Sequence, residues 1–203
     1  FSTLKIANEK FSIRYVFILF SDEYLALVKE TVKVGIEFVF NGEVYTQTMT
    51  DPVEILKSEH IELLKQLHIM SNAANSIKLN GLSVEGFEQI VSVIRYIDKD
   101  VRLHTEREER FVFTKLEKYI SGPPLVMRNE HRELWRVISL IKQLIKNMED
   151  GNIHGRTVEE MIQTTKYIVE FLSAHIEKEN TILFPMVLRL LTTEEYQQCI
   201  NEL

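Results

Sequence analysis

Two rhythms of apolar and polar residues divide the chain. In the first 50 residues the period is two: Phe11, Ile13, Tyr15 and Phe17 alternate with Ser12, Arg14 and Val16, as a strand requires. Ile36, Phe38 and Phe40 alternate up to Asn41-Gly42, and Val44, Tyr45 and Thr46 follow. Asn-Gly between two such runs predicts a two-residue hairpin, because both residues tolerate the positive φ that the turn needs. Ser21–Glu30 fits a short helix or a further strand equally well. These patterns predict a small β-rich N-terminal appendage over residues 1–50. Two strands alone are marginal in water, so its apolar residues need a partner surface, on the rest of the chain or on a second copy in a homodimer.

From Asp51 the period changes to that of a helix. Asp51-Pro52-Val53-Glu54 supplies an N-cap, a proline at the first helical position and a glutamate two residues further on. Ile55, Leu56, Leu63, Leu64 and Leu67 then recur at helical spacing up to Asn80-Gly81. Ser83 caps a second helix that can run to about Ile120, where Ser121-Gly122-Pro123-Pro124 stops it. A third helix is expected from about Arg128 to Met148 and a fourth over Thr157–Leu191. Thr192-Thr193-Glu194-Glu195 has the form of a capping box opening a short last helix. Four long helices with short connections predict a mainly α protein. Residues 51–203 are expected to form an antiparallel up-down four-helix bundle with a short C-terminal helix. A helix of about 30 residues spans about 45 Å, long enough to enclose a site.

The bundle region repeats itself with an offset of 71 residues. Glu59-His60-Ile61-Glu62-Leu63 matches Glu130-His131-Arg132-Glu133-Leu134, His104 matches His175, and Glu108 matches Glu179. Glu88/Glu159, Tyr96/Tyr167, Ile97/Ile168, Glu106/Glu177 and Phe113/Phe184 coincide as well. The repeat predicts two helical hairpins related by a pseudo-two-fold axis. Each brings one His on its first helix and a His-x-x-x-Glu pair on its second. Residues four apart share a helix face, so four imidazoles and two carboxylates can converge in the core. Taken singly, each pair is equally an ordinary i,i+4 ion pair on a polar face. The repeat at identical spacing is what that simpler reading leaves unexplained.

Charge and cysteine usage narrow the chemistry. The net charge of −6 and the lack of any Lys/Arg-dense stretch argue against a nucleic-acid binder. The single cysteine, Cys199, excludes an intramolecular disulfide and a Cys-rich zinc or iron–sulfur site, and fits a reducing compartment. The longest apolar run, Tyr15–Phe20, is too short to span a bilayer, and the N-terminus lacks the pattern of a secretory leader. A soluble, cytoplasmic protein without a membrane partner is expected. The chain begins with Phe rather than Met, so further sequence upstream is expected too.

Six nitrogen and oxygen donors exceed what a four-coordinate zinc site uses. Imidazole with carboxylate suits iron, manganese or zinc and disfavours calcium. Carboxylates can bridge two cations, so two Glu between four His build a dinuclear centre in which each metal receives two His and shares both Glu. Open positions would remain for a small exogenous ligand. The ferritin-like plan differs, with Glu-x-x-His pairs and single Glu ligands.

On His60, His104, Glu108, His131, His175 and Glu179, residues 51 to about 190 resemble the hemerythrin-like, or HHE cation-binding, family. The resemblance implies a non-haem di-iron centre bridged by the two Glu, with manganese or zinc as substitutes. Family members bind dioxygen, sense oxygen or iron, or protect and repair iron centres under nitrosative stress. The oxygen carriers have a fifth His where this chain has Trp135 and a bridging Asp where it has Glu179. The resemblance therefore implies a more symmetric site than theirs. Many members of the repair group also carry a cysteine-bearing N-terminal domain, which residues 1–50 do not match.

Of the remaining residues, Trp135, Phe111, Phe113 and Phe184 are expected in the core and around the metals. Glu59 and Glu130 are expected in solvent or orienting a ligand imidazole. His68 and His154 are expected at the surface, and Cys199 buried and inert. The leading functional expectation is binding or sensing of dioxygen or another small diatomic ligand such as nitric oxide. The alternative is repair of iron centres or protection against nitric oxide and oxidants. An oxidase or peroxidase is less favoured, because no acid–base group stands apart from the ligands. A helical interaction protein without metal is the remaining class.

Overall fold

The computed structural model describes residues 12–16, 33–40 and 43–202, and side chains from Asp51 to Cys199. The strands β1 (Ser12–Val16), β2 (Lys33–Phe40) and β3 (Glu43–Thr50) pair antiparallel in that order, with Ile13 opposite Phe38 and Phe38 opposite Tyr45. The Asn41-Gly42 turn, Ser21–Glu30, Phe11 and Phe17 lie outside the described residues.

Five helices follow: α1 (Pro52–Asn80), α2 (residues 84–116), α3 (Gly122–Glu149), α4 (residues 155–190) and α5 (Thr193–Glu202). The caps read from the sequence are made. Asp51 Oδ1 accepts from the Val53 amide at 2.9 Å, and Ser83 Oγ from the Gly86 amide at 3.1 Å. At the start of α5 the Glu195 amide donates to Thr192 Oγ1 and the Thr192 amide to Glu195 Oε2, each at 3.2 Å, a reciprocal box. Glu195 also accepts from Lys118 Nζ and Tyr119 Oη beyond the end of α2.

Two boundaries depart from expectation. Helix α2 ends at Leu116, in a turn, rather than near Ile120. Helix α3 begins at Gly122, six residues earlier than the hydrophobic pattern suggests. Pro123 and Pro124 open that helix instead of standing between two helices. In a first turn the amide that proline lacks has no intrahelical partner to lose, and its φ is already helical.

A larger departure lies inside α2 and α4. Both lapse from α into π geometry: Ile97–Val101 and Glu108–Phe113 in α2, Glu179–Leu183 in α4. Two of these wide turns begin on Glu108 and Glu179, which the repeat pairs. A π turn accommodates one extra residue and reduces the rotation between neighbours, so consecutive side chains are brought closer to one direction.

The larger of two compact units spans Glu59–Tyr196. Its core is a continuous aliphatic cluster from α1 to α4, including Leu67, Met70, Ile90, Ile97, Ile138, Ile141, Met161 and Leu172. At the α1–α2 corner Gly86 lets the helices approach: a Cβ there would stand 3.0 Å from Ile77 Cγ1. No described helix is long and apolar enough to cross a membrane.

Packing, more than capping, sets the stability of this unit. Ile141→Ala, truncating a side chain with no exposed surface, is expected to cost about 2–5 kcal/mol. Ser83→Ala is expected to cost about 1 kcal/mol. Denaturant midpoints at constant slope measure both, and equal losses would refute this ranking.

Candidate metal centre

The six side chains singled out by the repeat come together inside the bundle, and none exposes more than 5% of its surface. They form two groups in which donor atoms lie within 4.8 Å of one another: His60, His104, Glu108 and Glu179, and Glu108, His131, His175 and Glu179. Each hairpin thus supplies both imidazoles of one group, and the two carboxylates belong to both groups. Glu108 turns Oε1 to His104 Nε2 (3.3 Å) and Oε2 to His131 Nε2 (3.6 Å). Glu179 turns Oε2 to His60 Nε2 and Oε1 to His175 Nε2, both at 3.1 Å. Each carboxylate therefore offers one oxygen to either half.

The helices aim these groups in the same way twice. His104 and His175 stand one α turn before Glu108 and Glu179, and the π turn opens at each glutamate. As a result the next residues, Glu109 and Asn180, also reach the centre. Phe113 stacks on the His131 ring and Phe184 on the His60 ring, each with centroids 5.5 Å apart. Both phenylalanines are fully buried, and they wall the centre from water.

Every imidazole is oriented from behind through Nδ1. His104 donates to Glu59 (2.6 Å), His175 to Glu130 (2.8 Å), His131 to Glu109 (2.7 Å) and His60 to Asn180 Oδ1 (3.0 Å). The three outer carboxylates are anchored in turn by Arg107, Lys178 and Arg128. Each is held below its ordinary pKa. At Glu59 burial works against this, and the bonds from His104 and Arg107 outweigh it. At Glu109 and Glu130 the bonds from His131 and His175 dominate. A proton fixed on Nδ1 leaves the Nε2 lone pair of a neutral ring pointing inward.

The interior chemistry is therefore electron-rich and uncompensated. His60 Nε2 faces His104 Nε2 at 3.0 Å, and His131 Nε2 faces His175 Nε2 at 3.1 Å. Two lone pairs at that distance repel unless a cation or a proton lies between them. None of the four oxygens of Glu108 and Glu179 accepts a well-aligned hydrogen bond, despite their ion-pair distances to the imidazoles. Buried carboxylates without such partners cost several kcal/mol each. Four inward nitrogens and four inward oxygens fit a pair of divalent cations, and the nitrogen-rich set suits iron, manganese or zinc over calcium.

Sequence reasoning identified these six and allowed Glu59 and Glu130 their orienting role. It missed Glu109, Asn180, Arg107 and Lys178. The offset that pairs the ligands also pairs Glu109 with Asn180 and Arg107 with Lys178, a signal hidden by the change of residue type. Trp135 is half-buried against the core and carries the Arg102 guanidinium 4.1 Å from its ring centre. His68 and His154 are exposed, and Cys199 is buried.

Without metal, protons fill the gaps. Burial alone would lower the pKa of His104 and His175. The charges of Glu108 and Glu179 beside them, with the bonds to Glu59 and Glu130, outweigh it and raise both to about 10. Glu179 moves down: burial opposes ionisation, but His175 and His60 outweigh it. Loading at neutral pH is therefore expected to release protons, measurable as acidification of a weakly buffered solution. The ordinary histidine value is 6.5, so in the metal-free protein this stabilisation is complete below pH 6.5 and lost as pH rises to about 10. A metal-free melting temperature that rises across that window would contradict the assignment.

The hemerythrin HHE cation-binding domain model matches residues 51–187. The chain is also similar to proteins named iron-sulfur cluster repair protein YtfE. The Salmonella typhimurium protein is 23% identical over 133 residues, the Escherichia coli O81 protein 24% over 133, and the Yersinia pestis (strain Pestoides F) protein 25% over 134. Each match covers 64% of this chain and 60% of the relative, so the chain spans about three-fifths of the length of these proteins. A domain model that covers two thirds of the sequence, on the region that carries the repeated His and Glu, settles the family. This chain belongs to the hemerythrin family and carries its HHE cation-binding domain.

Proposed function

We propose that the chain is the di-iron part of a protein that repairs iron centres or protects them from nitric oxide and oxidants. In this reading His60, His104, Glu108, His131, His175 and Glu179 would hold two iron ions. The observation that carries it is the inward convergence of four Nε2 atoms and four buried carboxylate oxygens that lack well-aligned hydrogen bonds. The similarity to proteins named for iron–sulfur cluster repair supports the role.

Iron held there would supply one-electron chemistry and affinity for a small ligand. The protein's own contribution is orientation and exclusion. Glu59, Glu109, Glu130 and Asn180 hold the imidazole planes, while Phe113 and Phe184 keep water out. Residues 51–203 form the bundle domain with its short C-terminal helix, and residues 1–50 a separate β-rich unit. In this reading the protein acts in the cytoplasm, with a homodimer as a candidate assembly.

A second reading, reversible binding or sensing of dioxygen or nitric oxide, draws on the same centre and on the phenylalanine walls, which suit a small apolar guest. In the repair reading the iron-loaded protein restores a nitric-oxide-damaged iron–sulfur enzyme, and its His104→Ala variant does not. Failure to restore it, together with a spectrum that changes reversibly on oxygenation, would put the second reading in its place.

Metal analysis tests the ligand set directly. Wild type is expected to hold two irons per chain, and His104→Ala and Glu179→Ala to lose metal and the accompanying absorption bands. Metal at about a thousandfold above its dissociation constant stabilises the fold by about 4 kcal/mol per site, so chelation should lower the melting temperature of wild type but not of the depleted variants. Either variant with full iron and an unchanged spectrum would remove that residue from the set.

A further inference from the structure

Three of the four imidazoles at the centre donate Nδ1–H to a carboxylate; His60 alone donates to a neutral amide, Asn180. The exception falls on a pair that the repeat makes equivalent, because Glu109 stands behind His131 where Asn180 stands behind His60. The remaining features of the two halves correspond. Glu59 and Glu130 back His104 and His175, Arg107 and Lys178 anchor them, and Phe184 and Phe113 stack on His60 and His131. The His131–Glu109 bond is shorter than the His60–Asn180 bond, 2.7 against 3.0 Å, as expected for a charged acceptor. Glu109 is held in turn by Arg128 at 2.8 Å, but Glu59 and Glu130 are also held by cations. That outer pairing therefore does not set Glu109 apart. A second difference has the same sense: Phe171 stacks on the His175 ring, with centroids 6.5 Å apart, while the position that the offset pairs with Phe171 is the exposed Asp100.

A carboxylate behind a ligating imidazole makes Nε2 a stronger donor, and loss of such a partner typically lowers metal affinity by about 10–100-fold. We infer that the two metal positions are unequal: the one between His60 and His104 is the labile position, and Asn180 is the positioning residue that makes it so. The metal between His131 and His175 is retained. The inference rests on the ligand set proposed above and concerns a property that set does not require, since six equivalent ligands would hold two equivalent ions. A chain of this kind gives up one ion while the other keeps the bundle core filled.

The test follows metal release to a colorimetric chelator from full-length protein loaded with cobalt(II), a redox-silent probe under anaerobic conditions. Wild type should release its two ions in two phases of equal amplitude, with rates about 10–100-fold apart. Asn180→Glu should slow the fast phase towards the slow one and leave the slow phase in place. Glu109→Gln should quicken the slow phase alone. Asn180→Asp repeats the first change with a shorter side chain in case the glutamate perturbs folding, which circular dichroism checks. Anomalous scattering from half-depleted crystals should locate the remaining ion between His131 and His175.

Two ions leaving at one rate, a remaining ion between His60 and His104, or an Asn180 variant that moves both phases together would overturn this inference and leave the ligand set standing. Fewer than two ions per chain in freshly loaded wild type would overturn the ligand set and the inference with it.

Discussion

Two carboxylates with no exposed surface lie at the middle of a hydrophobic bundle, and much of the structure answers to them. Glu108 and Glu179 are removed from water, and nothing among the described residues gives their oxygens well-aligned hydrogen bonds. Left ionised and uncompensated they would consume much of the stability of a typical domain, because each buried charge costs several kcal/mol. The surroundings limit that cost in stages: imidazoles around the carboxylates, carboxylates and an amide behind the imidazoles, then arginine and lysine at the rim. Positive charge at the centre completes the series. Protons serve in the metal-free protein, and a cation at either group of donors would meet four at once.

The helices bear the geometric consequences. A regular α-helix places His104 and Glu108 on one face but turns the following residue away from it. With the π turns that open at Glu108 and Glu179, an inward carboxylate and an orienting group follow each other directly in sequence. The wide turns are irregularities of a kind that often accompanies function. Here they let one short stretch of each hairpin serve both layers of the centre. The aliphatic core from Leu67 to Leu172 stabilises the fold enough to tolerate them.

Much of this arrangement was readable before any coordinates. The change from period two to helical period at Asp51, the caps at Asp51, Ser83 and Thr192, and the four-helix plan follow from local rules about backbone amides and apolar faces. The six inward residues were readable because they recur at one offset, which separates them from the many other glutamates of an acidic chain. What escaped depended on contacts between helices or on exceptions to regular geometry. Hydrophobic periodicity cannot reveal a π turn, because one extra residue merely blurs the stripe. Pro123 and Pro124 looked like a stop because proline marks both the end of one helix and the first turn of the next. Glu109 and Asn180 were passed over because one is a common surface residue and the other its unlike counterpart, and only their shared approach to an imidazole identifies them. The six inward side chains keep the symmetry of the repeat, and the groups behind them depart from it.

The matching π turns also bear on how such a chain arises. A wide turn at the same place in both hairpins, opening on the same ligand, is explained by one event if the hairpins descend from a single duplicated ancestor. That ancestor, as a free hairpin, could have enclosed two cations only by pairing with its own copy about a two-fold axis. In such a dimer the residue behind the first-helix imidazole would be the same in both subunits, two carboxylates or two amides. Two copies joined in one polypeptide are free of that symmetry, and Glu109 and Asn180 are unlike residues at positions that the repeat makes equivalent.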